Sequence, residues 1–421
     1  MNAIPTLAGI PVDFILFAAT LLGVALFHGR TLTVALCGLA TISLYKLAFT
    51  GFAGQPGLGG LGHHLLHEWV LVSNLFMLLV GFALLACYFD RSRVPAVLPR
   101  VLPDDWKGGF VLLVLIFVMS AFLDNIAAAI IGGTVAASVY RGRVHVGYLA
   151  AIVAASNAGG SGSVVGDTTT TMMWIDGVSP FDVLHAYVAA FIALLIFGTI
   201  AAVQQHRLQP IQADADPRER IEWTCLGIVA FILVSAISVN VFVNVNHPEL
   251  ASRFPFIGVA VWVAIALVAL LRRPDWHEVP PAARGAVFLL ALVLCASMMP
   301  VEHLPTPGWV TALGLGFVSA VFDNIPLTGL ALKQGGYDWG FLAFAVGFGG
   351  SMLWFGSSAG VALSTRFPEA RSVANWVRHG WHVAVAYVVG FMVMLAVLGW
   401  HPHEPHKPGK PAVVAPAAPT R

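Results

Sequence analysis
The sequence predicts an all-α polytopic membrane protein: inverted repeats with two re-entrant hairpins and two broken transmembrane helices. Three observations carry that expectation. Of the 421 residues, 58% are hydrophobic and 10% are charged, against roughly 25% charged in soluble domains. Ser120-Ala-Phe-Leu-Asp-Asn-Ile126 returns as Ser319-Ala-Val-Phe-Asp-Asn-Ile325, each inside an apolar run where a carboxylate is costly and seldom accidental. Downstream, Gly159-Gly-Ser161 followed by Gly166 returns, with the same spacing, as Gly349-Gly-Ser351 followed by Gly356. Polar interruptions repeated within hydrophobic segments are the pattern of a two-fold transporter core.

A helix needs about 20 apolar residues to cross about 30 Å of hydrocarbon. By that measure ten crossings are expected, over 12–29, 31–50, 68–89, 144–172, 180–203, 221–245, 255–272, 284–301, 339–366 and 379–400. The stretch Pro11 to His28 lacks a basic leader and a clear cleavage site, so it reads as the first span and not as a signal peptide. Segments 108–139 and 309–335 are too long for one crossing and too short for two with a loop. Each carries Asp-Asn near its middle. Two arms of about 15 residues, each about 22 Å long at 1.5 Å per residue, make a re-entrant hairpin. Irregular backbone at that depth is tolerated where protein or a water cavity covers it.

The expected organisation follows. A first repeat over 1–205 has five spans and a cytoplasm-side hairpin at 108–139. A polar cytoplasmic linker occupies 206–220. A second repeat over 221–400 has five spans and an outer-side hairpin at 309–335. A Pro- and Ala-rich tail over 401–421 is expected to be disordered. With the loop after the third span placed in the cytoplasm, sixteen of the 22 Lys and Arg residues fall on that side, as the positive-inside rule requires. Both termini are then outside, and a bacterial inner (plasma) membrane is the expected location. An odd number of crossings per half inverts the second half relative to the first.

Other features yield little chemistry. A net charge of +1 gives no reason to expect a nucleic-acid partner. Cys37, Cys87, Cys225 and Cys295 all lie in apolar segments and read as small buried hydrophobes. The Gly-rich stretch 51–67 is expected outside the membrane, ending in an interfacial amphipathic turn that carries His63, His64 and His67. His401, His403 and His406 of the tail are too loosely spaced to indicate a metal site. Lys46, within a span, is expected to snorkel to the interface.

The chemistry is expected at the hairpin tips and breaks. Asp124 and Asn125 occupy the first tip, where helix ends expose backbone groups without intrahelical partners. Asp and Asn oxygens suit a small hard cation; Asp124 also suits a helix cap. In the first broken span, Gly159, Gly160, Gly162 and Gly166 each cost about 1 kcal/mol relative to Ala in a helix. Asp167 then reads as the cap of the second half-helix and as a cavity-facing ligand or proton carrier, with Asn157, Ser161 and the following threonines supplying neutral oxygens. The second half repeats the break at Gly349, Gly350 and Gly356, with Asp323 and Asn324 at its tip and Ser357 where Asp167 stands in the first half. With no clear basic partner at that depth, the three aspartates are expected to exchange protons readily. Lys333 is the nearest counter-charge, toward the outer end of its arm.

At these residues the chain resembles the ion transporter superfamily, and within it the NhaD-type sodium/proton antiporters of the citrate-transporter-like domain family. The motifs are Leu123-Asp-Asn-Ile126, Asn157-Ala-Gly-Gly160, Gly166-Asp-Thr-Thr-Thr-Thr-Met-Met-Trp174 and Phe322-Asp-Asn-Ile325, within a likeness over roughly residues 70–400. The resemblance implies a homodimer with a scaffold domain and a transport domain that moves as an elevator. It implies a cation and proton site at Asp124, Asn125, Asn157, Asp167, Thr169, Thr170, Asp323 and Asn324, with Ser357 and Ser358 following. Na⁺ or Li⁺ would sit at Asp124, Asn125 and Asp167, exchanging for H⁺. No enzyme activity and no cofactor are implied, and the partners are lipid and a small inorganic cation. Carboxylate-importing members resemble Ser-Asn-Thr at the tips and Thr-Pro-Pro after the break, where this chain has Asp-Asn and Asp167-Thr-Thr. Two alternatives stand beside cation exchange: a cation-coupled carrier for citrate or another small carboxylate, and an arsenite or antimonite efflux permease.

Overall fold
The computed structural model describes residues 5–7, 9–27, 30–52, 55–97, 102–212, 220–246, 250 and 253–403. The described chain is almost entirely helical, apart from an antiparallel pair, Thr6–Leu7 with Ile10–Pro11. The first half contains α1 (Val12–Leu26), α2 (Thr31–Tyr45, continued by a π-helical turn Lys46–Thr50), α3 (Gly57–Arg91), α4 (Trp106–Ser120), α5 (Asn125–Val139), α6 (Val146–Ser161), α7 (Thr168–Ile175) and α8 (Ala186–Leu208, entered through Pro180–Leu184). The second contains α9 (Trp223–Asn246), α10 (Phe256–Ala269), α11 (Val279–Ser297), α12 (Trp309–Ser319), α13 (Asn324–Gln334), α14 (Trp339–Gly349), α15 (Ser358–Arg366) and α16 (Val373–Leu398).

Among the described residues, five helical stretches are long and apolar enough to cross a membrane: Thr31–Thr50, Gly57–Arg91, Pro180–Leu208, Trp276–Ser297 and Val373–Leu398. The chain is thus an all-α polytopic membrane protein. Expected spans 144–172 and 339–366 are each two helices, α6 then α7 and α14 then α15, parted where the glycines cluster. Segments 108–139 and 309–335 are likewise two short helices each, joined at Asp124 and Asp323. The linker expected at 206–220 lies partly outside the described residues, at 213–219.

Burial explains the arrangement. Every residue of α6 from Gly147 onward, and every residue of α14, is buried, as for helices apolar all round. They form the axis of the largest apolar cluster, with α4, α8 and α16 packed around them. In α16 the buried residues Trp376, Gly380, Val383, Tyr387, Gly390, Phe391 and Met394 recur at helical spacing on one face. Its other face exposes Val377, Trp381, Val385, Val388 and Met392. A second cluster is built chiefly by α3, α9 and α10, and a third by α1, α2 and α11.

Three expectations are corrected. The stretch 51–67 is helical from Gly57 on, so His63, His64 and His67 lie in the first turns of α3. A Cβ at Gly60 would overlap the Gln55 carbonyl, which is how the chain packs tightly enough to enter the helix there. Lys46 does not snorkel. Its Nζ lies 3.2 Å from Asp13 Oδ1, with side chains 8% and 1% exposed. Removing one partner of so buried a pair costs about 3–5 kcal/mol. The tail does not begin at His401. The His401 amide donates to Asp338 Oδ2 (2.9 Å), the Trp339 indole donates to the His403 carbonyl (2.8 Å), and His403 Nε2 lies 2.7 Å from Asp182 Oδ2. The rest of the expected tail, His406 included, lies outside the described residues.

This strap joins the end of α16 to the entrances of α8 and α14, and it carries a titratable group. Burial opposes a charge on His403, but the His401 carbonyl, the bonded Asp182 and the nearby Asp338 outweigh it and raise its pKa above 6.5. A raised folded-state pKa contributes stability that is complete below the unfolded value and is lost as pH rises through the folded one. His403→Gln should therefore lower Tm in detergent at pH 6 and leave it nearly unchanged at pH 9. A drop independent of pH would contradict the charged pairing.

Candidate functional site
Four short helices begin where the chain breaks, and each begins on a side chain that can accept a hydrogen bond. Asp124 opens α5, taking the Ile126 amide on Oδ2 at 3.2 Å. Asp167 opens α7, taking the Thr169 amide on Oδ1 at 3.3 Å. Asp323 opens α13, taking the Ile325 amide on Oδ1 at 3.1 Å. Ser357 opens α15, taking the Gly360 amide on Oγ at 3.3 Å. Side-chain oxygens satisfy the orphan amides of a helix start, and the helix dipole favours a negative charge there.

Close packing sets where the breaks fall. A Cβ at Gly159 would overlap the Phe117 carbonyl, and one at Gly349 the Gly316 carbonyl. A Cβ at Gly166 would overlap the Ser120 carbonyl, and one at Gly356 the Ala320 carbonyl. Gly160 and Gly350 form a third such pair, facing the Gly166 and Gly356 carbonyls across their own breaks. Ser120 Oγ donates to the Ser156 carbonyl (2.5 Å) as Ser319 Oγ donates to that of Val346 (2.7 Å). The same contacts thus press α4 onto α6 and α12 onto α14.

The two halves meet in one buried hydrogen-bond network. Asn125 Nδ2 donates to Asn157 Oδ1 (3.0 Å) and lies 3.4 Å from Asp167 Oδ1. Asn157 Nδ2 donates to Ser351 Oγ of the second half at 2.9 Å. Thr169 Oγ1 donates to Asp167 Oδ2 at 2.9 Å. Thr170 turns instead to the carbonyls of Ser163 (2.6 Å) and Asp167 (2.9 Å), bracing the break. Asp124 and Asp167 face a small cavity of about 10 Å³, room for one water-sized occupant, lined also by Thr168 and Thr171 and walled by Leu75, Leu78, Leu79 and Phe82 of α3.

In the second half, Ser358 Oγ donates to Asp323 Oδ2 at 3.0 Å. Asn324 is buried, and its Nδ2 has no hydrogen-bond partner among the described residues. The residue matching Asn157 in the repeated spacing is Gly347, where a Cβ would lie 3.2 Å from Asp167 Oδ2. Asp124, Asp167 and Asp323 are the three carboxylates at the breaks. None of the three joins the ion pairs found among the described residues, at Lys46–Asp13, Arg91–Asp275, Lys107–Asp105, Arg272–Glu222 and His403–Asp182. Lys333 is turned to the Met299 carbonyl. No group of three His, Cys, Asp or Glu side chains among the described residues is close enough to hold a metal ion, so a cation at the cavity would take neutral oxygens beside the Asp124 and Asp167 carboxylates.

Most of the residues read from the sequence converge: Asn125, Asn157, Asp167 and Thr169 in one network, with Asp124 beside Asp167 on the cavity, and Asp323 and Ser358 in a second pair. Ser357 is engaged as a cap. Thr168 and Thr171, among the threonines expected to supply neutral oxygens, line the cavity, whereas Ser351 and the α3 wall were not among the residues singled out. Ser351 stood in the repeated Gly-Gly-Ser, and that repetition was the available signal. The α3 leucines follow an ordinary helical stripe and carried none.

A profile of the citrate transporter family matches residues 12–349. The chain is 28% identical over 307 residues to sodium/proton antiporter 1 of Arabidopsis thaliana, covering 61% of this chain and 49% of that one. It is 26% identical over 361 residues to sodium/proton antiporter 2 of the same plant, covering 73% and 78%. It is 26% identical over 341 residues to the Na(+)/H(+) antiporter NhaD of Alkalimonas amylolytica, covering 70% and 68%. The chain spans about half the length of the first of these relatives.

The bond between the halves has a measurable consequence. Ser351→Ala leaves the Asn157 amide without its acceptor, at a cost of about 1–3 kcal/mol for an orphaned buried donor. Unfolding of the purified variant should show that loss; stability within about 0.5 kcal/mol of the parent, the range of a featureless substitution, would contradict the network.

Proposed function
This chain belongs to the citrate transporter family, and we propose that within it the protein exchanges Na⁺ or Li⁺ for H⁺ at the carboxylates of the two helix breaks. The observation that carries this reading is a pair of capping carboxylates, Asp124 and Asp167, facing one small cavity and joined to no basic side chain by the ion pairs above. A buried carboxylate needs a proton or a cation for neutrality. Competition for the same oxygens couples the two fluxes without further machinery. The printed names of the antiporter relatives support the same direction.

Asp124, Asn125 and Asp167 form the cation-binding core in this proposal. Asn157 and Thr169 orient it, and Asp323 with Asn324, Ser357 and Ser358 forms the complementary set of the second half. The matched contacts at the breaks support two repeats of inverted orientation, with α4–α5 and α12–α13 as re-entrant hairpins. The apolar clusters support an elevator: α6 and α14 lie at the centre of one, α9 and α10 in another, and α3 borders both, with Leu75 in the first and Leu78, Leu84 and Leu85 in the second. The cavity lies at their seam, walled by α3. A homodimer joined through the scaffold belongs to the same proposal.

A second reading, cation-coupled uptake of a small carboxylate, draws on the unpartnered Asn324 amide and on four helix N-termini. It is the weaker one, because those N-termini are already capped by three aspartates and a serine.

The test uses vesicles containing the purified protein and an internal pH dye, with an imposed pH gradient and separate additions of NaCl, LiCl, KCl and citrate. Na⁺ or Li⁺ should collapse the gradient. Asp124→Asn should weaken the response by at least roughly tenfold, the equivalent of about 1.4 kcal/mol for a lost charged ligand. A response to citrate alone would move the protein to the carboxylate carriers.

A further inference from the structure
Where α6 and α14 stop, their last carbonyls lose their intrahelical donors. At the first break, the Ala158 carbonyl takes Ser161 Oγ (2.8 Å) and the Gly160 carbonyl takes the amides of Gly162 and Ser163. The Gly159 carbonyl takes a donor from outside: Tyr187 of α8 gives its O–H at 3.0 Å. The Tyr187 ring also lies against Gly162, where a Cβ would meet ring carbons at 2.6 to 2.7 Å. The ring is braced by Phe117 of α4, 5.9 Å away between centroids. Tyr187 thus holds the break between Asn157 and Asp167 from two sides.

The second break is held in the same manner. Trp376 of α16, 1% exposed, gives its indole N–H to the Ser351 carbonyl at 3.3 Å. Ser351 is the residue whose hydroxyl fixes Asn157. Both donors come from long helices flanking the buried axis, and both act on backbone beside the polar network.

We propose that Tyr187 and Trp376 are positioning residues that set the affinity of the site for its cation, by holding a carbonyl at each helix break. The proposal rests on the cation-exchange reading above. Binding geometry must be kept within about 0.5 Å by groups that do not themselves touch the ligand. At a break, where the helix ladder has ended, a side chain from a neighbouring helix supplies that restraint.

Tyr187→Phe and Trp376→Phe each keep an aromatic ring and delete one donor. In the vesicle assay, the Na⁺ concentration for half-maximal response should rise about three- to tenfold, the effect of one lost hydrogen bond, with the maximal rate retained even where the lost donor and, for Trp376, the vacated volume lower Tm. Amide exchange of the same proteins in detergent should quicken over residues 159–167 for the Tyr187 variant and over 350–358 for the Trp376 variant. A lower maximal rate and lower Tm at an unchanged half-maximal concentration would overturn the affinity role and leave a structural one. A responsive parent with variants unshifted in both measurements would overturn it outright. A parent silent to Na⁺ and Li⁺ would overturn it together with the exchange reading, and amide exchange would still show whether the donors hold the breaks.

Discussion
The fold turns on one obligation: a helix that starts in the buried interior must find acceptors for its first amides. This protein starts four helices at its interruptions and meets the obligation with Asp124, Asp167, Asp323 and Ser357. An aspartate cap uses only part of its carboxylate for the amide. The remaining oxygen capacity of Asp124 and Asp167 faces the cavity. In the proposed mechanism capping and ligation are two uses of one group, and the structural need for an acceptor places a carboxylate at the site.

The halves are similar without being equal. Asn157 has no counterpart at Gly347, and the missing side chain leaves room beside Asp167 while leaving the Asn324 amide without the partner that Asn125 has. Asp323 is bonded to Ser358, whereas Asp124 has its cap and the cavity. In the proposed mechanism this asymmetry concentrates exchange at Asp124 and Asp167.

Much of this arrangement was legible in the sequence, because each legible feature has a local cause. Asp-Asn inside an apolar run and glycines inside a span contradict a continuous lipid-exposed helix wherever they occur. What stayed hidden depends on meetings between distant segments. Asn157 and Ser351 are 194 residues apart. Lys46 looked like a snorkelling residue because nothing in its own segment announces Asp13, 33 residues earlier. The α3 wall is an ordinary apolar stripe until the carboxylates are packed opposite it. His401–His403 read as tail because docking onto Asp338 and Asp182 depends on partners 63 and 221 residues away.

In the proposed exchange, cation and proton compete for one set of carboxylates, and proton release on cation binding is the direct measure of that competition. NaCl would be added to the detergent-purified protein in weakly buffered solution, with bound Na⁺ and released H⁺ followed together. Competition requires that Na⁺ displace protons and that the apparent Kd for Na⁺ rise as the pH is lowered. Na⁺ binding without proton release, at an affinity independent of pH, would contradict it.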